Sequence, residues 1–314
     1  MTPMTMSVSP HIKSTRDTQK VMLDVIIALM PALIASVVFF GLRSLLLTVI
    51  SAAVCVLCEF GWEKLRKQPI TVGDLSAVVT GILLAYNVPV GMPIWQLIVG
   101  DVAAIIGVKM LFGGLGCNFM NPALVGRIVI MFSFTTNMTT YAVPKTAGAI
   151  VSGVDAVSTA TPLTMMKDLD WSNFTQLLLG NHGGVIGEVC AAALLLGGIY
   201  LCVRKIIKPI IPLCYMGSLV LFSWLFGGEQ PVLSLFAGGV MLGSIFMATD
   251  YVTSPYTNKG KVIFGIGCGF VTAAIRVFGN YAEGVTFAIL LMNILVPYIN
   301  ELTMTKPLGG AVEK

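Results

Sequence analysis

Residues 21–41 read VMLDVIIALMPALIASVVFFG, an apolar run whose one charged side chain is Asp24. A helix needs about 20 apolar residues to cross the hydrocarbon core of a bilayer, so this run predicts a membrane-spanning helix. Nine similar runs follow, and we therefore predict an all-α polytopic membrane protein. The ten predicted spans are 21–41, 44–62, 72–88, 94–112, 120–135, 185–203, 210–226, 231–248, 261–279 and 283–301.

The composition of the whole chain agrees with this prediction. Of 314 residues, 56% are hydrophobic and 11% are charged, and the mean hydropathy is +0.89. Soluble domains carry about 25% charged residues, so a soluble enzyme, a disordered chain and a secreted disulfide scaffold are excluded. The net charge of +4 does not indicate nucleic-acid binding. Residues 1–20 are polar, and we predict no cleavable signal peptide before the first span.

Lysine and arginine are unevenly distributed between the two sides of the predicted spans. Counting alternate connections from the N-terminus gives 14 basic residues, Lys109 among them, against 4 on the opposite side. The richer side is expected to face the cytoplasm, in a bacterial or archaeal cytoplasmic membrane. Both termini are therefore predicted inside, and the long connection 136–184 outside.

The two halves of the chain share an order of features. The string GILLA at 81–85 parallels GSIFMA at 243–248, and a proline-containing turn follows each. Because each half has five predicted spans, duplicated halves must insert with opposite topology, and such repeats place their site at the repeat interface. We predict two inverted five-helix repeats with a urea-transporter-like fold. The predicted parts are a cytoplasmic segment (1–20), repeats at 21–135 and 185–301, the outer loop (136–184) and a cytoplasmic tail (302–314).

The outer loop contains the string DAVSTATPL at residues 155–163. Thr161 before Pro162 is typical of a helix N-cap followed by proline at the first helical position. Residues 163–179 continue as a predicted amphipathic surface helix. Local chemistry alone therefore favours a structural role for this string.

The same string resembles the D-x-x-S-x-A-T signal of NqrB/RnfD-type membrane flavoproteins. The resemblance extends over nearly the whole chain, and the short N-terminal segment is similar to the RnfD branch. Thr159 departs mildly from the family pattern, in which a smaller residue is common. Other matching strings are FGGLG (112–116), NPA (121–123), FMATDYVTSP (246–255) and EGVTFAILLMN (283–293).

The resemblance implies that Thr161 carries FMN through a phosphoester bond installed by a flavin transferase. Ser158, Thr159, Ala160 and Pro162 would belong to the same attachment motif. Asp155 would help position the loop, or assist Mg²⁺ during flavin transfer; a solvated loop acid is an equally open interpretation. A phosphate diester at a helix start would meet free N–H groups and the positive end of the helix dipole, so the N-cap and flavin interpretations are compatible.

Ionisable side chains within apolar spans form a second set of candidates, because charges there are costly and mark functional pathways. We expect part of this set to line the repeat interface and to hold a second, non-covalent riboflavin or form part of an ion path. The candidates for that second site are Asn121, Arg127, Asp250, Thr253, Arg276 and Glu283. Arg276 and Glu283 flank one short turn and are also expected to pair with each other. The remaining ionisable residues of the spans are Asp24, Glu59, Asp101 and Glu188.

Three functions remain open at this stage. In Rnf complexes, electrons pass from reduced ferredoxin to NAD⁺ while Na⁺ or H⁺ is pumped, and the resemblance implies a flavin-carrying membrane subunit. The chain has no P-loop, ferredoxin-like cysteine run or dinucleotide fingerprint, so other membrane, flavin-bearing and iron–sulfur subunits are expected to bind NAD⁺ and ferredoxin. Lipids are the remaining partners, and no metal site is predicted. The alternatives are a channel or transporter for a small solute with the same architecture, or a scaffold that anchors partners.

Overall fold

The computed structural model describes residues 17–142, 158–159, 174–180, 182–228, 230–279 and 284–304. In these ranges the chain is helical apart from one two-stranded sheet. The first part contains α1 (Thr18–Phe40), α2 (Leu42–Arg66), α3 (Ser76–Tyr86), α4 (Ile94–Val102), α5 (Pro122–Ser133), α6 (Thr135–Thr139) and β1 (Tyr141–Ala142). The second contains β2 (Ser158–Thr159), α7 (Phe174–Leu179), α8 (Ala191–Val203), α9 (Ile210–Leu225), α10 (Val240–Leu242), α11 (Asn258–Phe278) and α12 (Val285–Thr303).

The helices confirm a multi-pass membrane protein. Four of those described, α1, α2, α11 and α12, are long and apolar enough to cross a bilayer, and α3, α5, α8 and α9 are shorter apolar helices. Each of the ten predicted spans contains a helix in the structure. Many large apolar side chains are exposed, for example Val38, Leu57 and Trp224. Such side chains on the outside of a bundle are suited to contact with lipid.

Close helix packing depends on glycine at two clear positions. A Cβ on Gly81 would lie 2.7 Å from the backbone of Ala52, so α3 approaches the backbone of α2 directly. A Cβ on Gly197 would overlap the carbonyl oxygen of Ala28, so α8 lies directly against α1. Small residues allow this approach between membrane helices, where lipid supplies no hydrophobic driving force between them.

The predicted spans 72–88 and 231–248 contain the two shortest continuous helices among the described parts of the ten spans. The span 72–88 contains only the 11 residues of α3, because Leu75 adopts a left-handed conformation before it (φ 65°) and Asn87 ends it. The span 231–248 contains α10 and a π-helical continuation, Gly243–Met247. A second π-helical segment, Ala103–Met110, continues α4. Such segments are frequent at functional sites.

A short sheet follows the first five spans. β1 and β2 are antiparallel, with Tyr141 opposite Thr159 and Ala142 opposite Ser158. The helix predicted at 163–179 is described only at its end, as α7, because residues 160–173 lie outside the described part of the chain. α7 packs against α8. The sheet therefore places the backbone of residues 158–159 beside residues 141–142.

Candidate functional site

The start of α5 lies at the centre of the molecule and is fixed by Asn121. Its side-chain oxygen accepts hydrogen bonds from the backbone N–H of Ala123 (3.0 Å) and Leu124 (3.4 Å). Asparagine at the N-cap and proline at the first helical position are both favoured at helix starts. The Asn121 amide donates to the carbonyl oxygen of Met247 at 3.3 Å. One side chain therefore caps α5 and ties it to the π-helical segment after α10.

Asn293 of α12 joins the same junction. With its amide oriented by its hydrogen-bonding partners, it donates to the carbonyl oxygens of Thr253 (3.1 Å) and Ile289 (3.2 Å) and accepts from the Asn121 N–H (3.3 Å). The Thr253 hydroxyl donates to Asp250 Oδ2 at 3.1 Å. Asn121, Asp250 and Thr253 were predicted to line one interface, and the structure brings them together through Asn293.

A narrow cavity opens beside this junction, between the first and second halves of the chain. It encloses about 790 Å³ including its mouth. Its lining is mainly apolar, as in many small-molecule sites. The polar side chains that reach it are Ser76, Thr80, Lys109, Asn118, Asn121, Thr249 and Asp250.

Arg127 lies deeper, on the same helix as the Asn121 cap. It is 3% exposed, and its Nη1 donates to Asn87 Oδ1 (3.0 Å) and Thr286 Oγ1 (2.9 Å). Asn87 follows α3 and Thr286 lies at the start of α12, so this guanidinium bridges the two halves. Arg127 was predicted as a candidate, whereas Asn87 and Thr286 were not, since neither stands out in its apolar context.

Arg276 in the last turn of α11 is a second enclosed cation. Its Nη1 donates to the Ser234 carbonyl oxygen (2.7 Å) and its Nη2 to that of Ala237 (3.1 Å). The expected pairing with Glu283 cannot be compared, since Glu283 lies outside the described residues.

Glu188 is the acidic group near both arginines. It is 4% exposed and interacts electrostatically with Arg127 and Arg276. Among the described residues its Oε2 has no hydrogen-bond partner, nor have the ring nitrogens of His182. Arg127, Arg276 and Glu188, which we call the arginine cluster, carry a formal charge of +1 if all three are ionised.

The arginine cluster lies close to the short sheet. Tyr141 of β1 interacts electrostatically with Arg127 and Glu188. Burial raises the pKa of the Tyr141 phenol above its ordinary value, and Arg127 acts in the opposite direction. Thr159 is the residue opposite Tyr141, so the backbone two residues before Thr161 is placed near these cations.

Several predicted attachment residues cannot be compared with the structure. Asp155, Ala160, Thr161 and Pro162 lie outside its described part. Ser158 and Thr159 are described only as backbone in β2. The flavin attachment site therefore remains a prediction.

The structure corrects the sequence interpretation of Lys109. We counted it among cytoplasmic connection residues, but it lies in the π-helical segment after α4 and is 2% exposed. Its Nζ donates to Glu59 Oε1 (2.7 Å) and Ser76 Oγ (2.6 Å). The sequence did not reveal this pair, because Glu59 is 50 residues away from Lys109. A lysine at the end of an apolar run otherwise resembles an ordinary interfacial anchor.

Asp24, unlike Lys109, forms its ion pair with a partner that is exposed at the surface of the protein. It accepts from Tyr200 (2.9 Å) and pairs with Arg204 (3.2 Å), whose side chain is 56% exposed.

Comparisons with known proteins agree with the resemblance. A family model described as the NQR2, RnfD, RnfE family matches residues 5–309. The chain is 45% identical over 312 residues to a subunit of the "Na(+)-translocating ferredoxin:NAD(+) oxidoreductase complex" of Acetobacterium woodii, covering 98% of this chain and 95% of the relative. It is 38% identical to a subunit of the "Proton-translocating ferredoxin:NAD(+) oxidoreductase complex" of Clostridium ljungdahlii (97% and 96% covered). It is 35% identical to a subunit of the "Ion-translocating oxidoreductase complex" of Escherichia coli (96% and 97%).

Proposed function

The chain belongs to the NQR2, RnfD, RnfE family, and we propose that it is the flavin-carrying membrane subunit of an ion-pumping ferredoxin:NAD⁺ oxidoreductase complex. On this proposal it relays electrons through FMN joined to Thr161 by a phosphoester bond. The names of full-length relatives support the complex, and the string DAVSTATPL supports the attachment residue. The chain is then one subunit of a translocase and does not contain a complete active site.

The arginine cluster is the observation that carries the flavin proposal. A phosphate diester has one negative charge, and the cluster has a formal excess of one positive charge close to Tyr141. Charge-assisted hydrogen bonds to phosphate are among the strongest available to a protein. Thr161 is two residues beyond Thr159, the partner of Tyr141 in the sheet. The residues present therefore fit an anionic group attached to this loop.

The redox chemistry itself comes from the flavin, which supplies one- and two-electron transfer. On this proposal the chain itself holds the flavin and determines the charges that surround it. Ser158, Thr159, Ala160 and Pro162 shape the attachment loop on this proposal. Asp155 positions the loop for the flavin transferase.

The cavity between the two halves of the chain is the proposed location of a second, non-covalent riboflavin or of part of an ion path. Asn121, Asp250 and Thr253 contribute polar groups at or beside it. Arg127, Arg276 and Glu283 belong to the same proposal on the outer side. The mainly apolar lining favours the cofactor over an ion.

We further propose that the chain consists of two inverted repeats, 21–135 and 185–301, separated by the outer loop 136–184. In such an arrangement equivalent helices of the two halves meet at the centre. α1 contacts α8, its counterpart, and α5 contacts α12. Within the halves, α2 packs on α4 as α9 packs on α11. These pairs support the proposed symmetry.

The proposed setting is a bacterial or archaeal cytoplasmic membrane, with both termini in the cytoplasm and the loop 136–184 outside. Subunits with iron–sulfur and further flavin centres would bind ferredoxin and NAD⁺. A flavin transferase acts on the loop during maturation, and lipids surround the helices.

In-gel flavin fluorescence tests the proposal. The chain, co-expressed with its transferase, is denatured and separated, and we expect a fluorescent band that disappears in Thr161→Ala. Thr164→Ala, three residues away in the same loop, is the matched control and should stay fluorescent. A dark wild-type band, or a fluorescent Thr161→Ala band, would contradict the attachment and favour a solute channel or scaffold.

A further inference from the structure

The buried face of α2 is polar along its whole length. Of the seven buried residues of this helix, five carry a hydroxyl or carboxyl group, and the other two are Leu47 and the thiol-bearing Cys55. From first to last the polar residues are separated by 19 positions, or about 28 Å at the helical rise of roughly 1.5 Å per residue. That length is close to the roughly 30 Å of a bilayer core. This polar face of α2 consists of Ser44, Thr48, Ser51, Cys55, Glu59 and Glu63.

The acidic residues near the C-terminal end of this face have partners. Both oxygens of Glu63 accept from the Thr71 N–H at 3.1 Å, and the Thr71 hydroxyl also donates to it. Glu59 Oε1 accepts from Lys109 at 2.7 Å. Glu59 Oε2 has no hydrogen-bond partner among the described residues. The Glu59–Lys109 pair is therefore neutral as a unit and leaves one carboxylate oxygen available.

Asp101 of α4 faces the middle of the polar face and differs from these acids. It is 0% exposed; its Oδ1 accepts from Ser51 Oγ (2.5 Å) and Cys55 Sγ (3.4 Å). Its Oδ2 has no partner in the described part of the chain, and no described cation lies within hydrogen-bonding distance. The titratable groups that interact with Asp101, or with Cys55 beside it, are Cys58 on α2 and Lys109, and Lys109 already pairs with Glu59.

A charge on Asp101 is poorly compatible with this environment. An ionised carboxylate enclosed in a membrane bundle costs several kcal/mol unless it is paired. Hydroxyl and thiol donors at one oxygen do not replace a counter-ion. A protonated acid removes the charge and keeps the hydrogen bond from Ser51.

Packing disfavours a metal cation at this position. The neighbouring backbone is in close contact, since a Cβ on Gly81 would lie 2.7–2.8 Å from the Ala52 backbone. Ser51 also donates to the Gly81 carbonyl oxygen at 2.9 Å. Asp101 does not line the cavity between the halves, whereas Lys109 and Ser76 do. The proton is the ligand that needs no additional space.

We propose that Asp101 is a proton-binding site inside the first half of the bundle, and that the polar face of α2 connects it with the Glu63 end of the helix. The proton is held on Asp101 Oδ2 as a neutral carboxylic acid, and it exchanges with water along the polar face of α2, past Glu59. Cys55 and Glu59 lie one turn apart on the same side of the helix, which keeps the two acids on one continuous surface. This proposal goes beyond the flavin function and does not depend on Thr161.

Infrared difference spectroscopy of the purified complex in lipid nanodiscs tests the protonation state. Wild type minus Asp101→Asn should show the carbonyl stretch of a protonated carboxyl group, shifted in D₂O. Glu301→Gln, an exposed acid near the end of α12, is the matched control and should retain that band. Loss of carboxylate bands instead would show that Asp101 is ionised and would overturn the proposal.

Two further variants test the site and its connection. Ser51→Ala keeps the acid but removes its donor, so the carbonyl band should remain and shift in frequency; an unchanged band would contradict the site even if Asp101→Asn fails to fold. Glu59→Gln should slow deuterium exchange of the band about tenfold, as expected for a barrier raised by about 1.4 kcal/mol. Unchanged exchange would exclude Glu59 from the route by which the proton exchanges.

Sodium-dependent thermal stability separates the proton from a metal ion. We expect the unfolding temperature of wild type and Asp101→Asn to respond equally to NaCl and to KCl. A stabilisation specific to Na⁺ that disappears in Asp101→Asn would overturn the proposal in favour of a sodium site. In-gel flavin fluorescence should be normal in Asp101→Asn, so failure of this proposal is distinguishable from failure of the flavin proposal.

Discussion

Two groups of buried charges in this protein differ in sign and in the way they are compensated. The arginine cluster has two cations and one acid, whereas the group formed by Glu59, Lys109 and Asp101 has two acids and one cation. In the first group carbonyl and amide oxygens surround the cations, a setting that accepts an additional anion. In the second the uncompensated acid is enclosed with no room for a counter-ion, a setting that accepts a proton. The comparison suggests that the molecule separates anion binding from proton binding in space.

Removal of Lys109 should have the largest effect on stability. Lys109→Met leaves Glu59 buried without a counter-ion, and loss of one partner from a buried pair costs about 3–5 kcal/mol. We expect a markedly lower unfolding temperature of the purified complex in differential scanning fluorimetry. The double variant Lys109→Met/Glu59→Gln should recover most of the loss, and no recovery would show that the pair is not the cause.

Arg127→Leu should come second in stability and should also affect the flavin. It removes a pair of hydrogen bonds that share one donor nitrogen and so contribute less than two independent bonds of about 1.5–3 kcal/mol. Their partners Asn87 and Thr286 are neutral, so no unpaired buried charge is left behind, and the arginine cluster becomes neutral. We expect lower thermal stability together with less flavin per protein in absorption spectra. Lys259→Leu, on the exposed side of α11, is the control. Equal flavin content in both variants would remove Arg127 from the proposed site.

Asn121→Ala should have a smaller effect, because the charges of both groups stay intact. Loss of an N-cap costs about 1 kcal/mol, in a range of roughly 0.5–2, and the bond to Met247 is lost as well. We expect a moderate decrease in unfolding temperature and unchanged covalent fluorescence. Thr257→Ala, which removes the cap of α11 at its Gly260 N–H, is a matched control away from the cavity. Loss of covalent flavin in Asn121→Ala would contradict the proposal that the cavity between the halves and the flavin attachment loop are separate sites.

The Arg204–Asp24 pair should contribute least. Exposed ion pairs contribute about 0–1 kcal/mol and are screened by salt. Arg204→Ala should therefore change the unfolding temperature slightly, and less at high ionic strength. A decrease in unfolding temperature as large as that of Lys109→Met would show that buried and exposed ion pairs contribute equally to stability.

Hydropathy predicted the positions of the spans well, because each apolar run needs only local sequence to be recognised. It did not predict that the run 72–88 contains an 11-residue helix, since the left-handed Leu75 and the turn at Asn87 depend on contacts with other segments. Ile186 and Gly187, for example, donate to the carbonyl oxygens of Val88 and Tyr86 just after α3.

Which polar side chains are buried was predicted in part, whereas their function remains a prediction. Ionisable residues within apolar runs pointed to Arg127, Asp250 and Asp101, because charge in such runs is informative by itself. The amides of Asn87 and Asn293 were missed, since a neutral polar residue in a span is common and its partners are distant in sequence. The partnership of Lys109 with Glu59 was missed for the same reason.

Mass spectrometry of natively matured protein tests the central claim most directly. Trypsin should release residues 146–167, which contain Thr161, between Lys145 and Lys167. The account predicts that this peptide carries the mass of FMN less one water, with fragmentation assigning it to Thr161. An unmodified peptide, or FMN on another residue, would contradict the account.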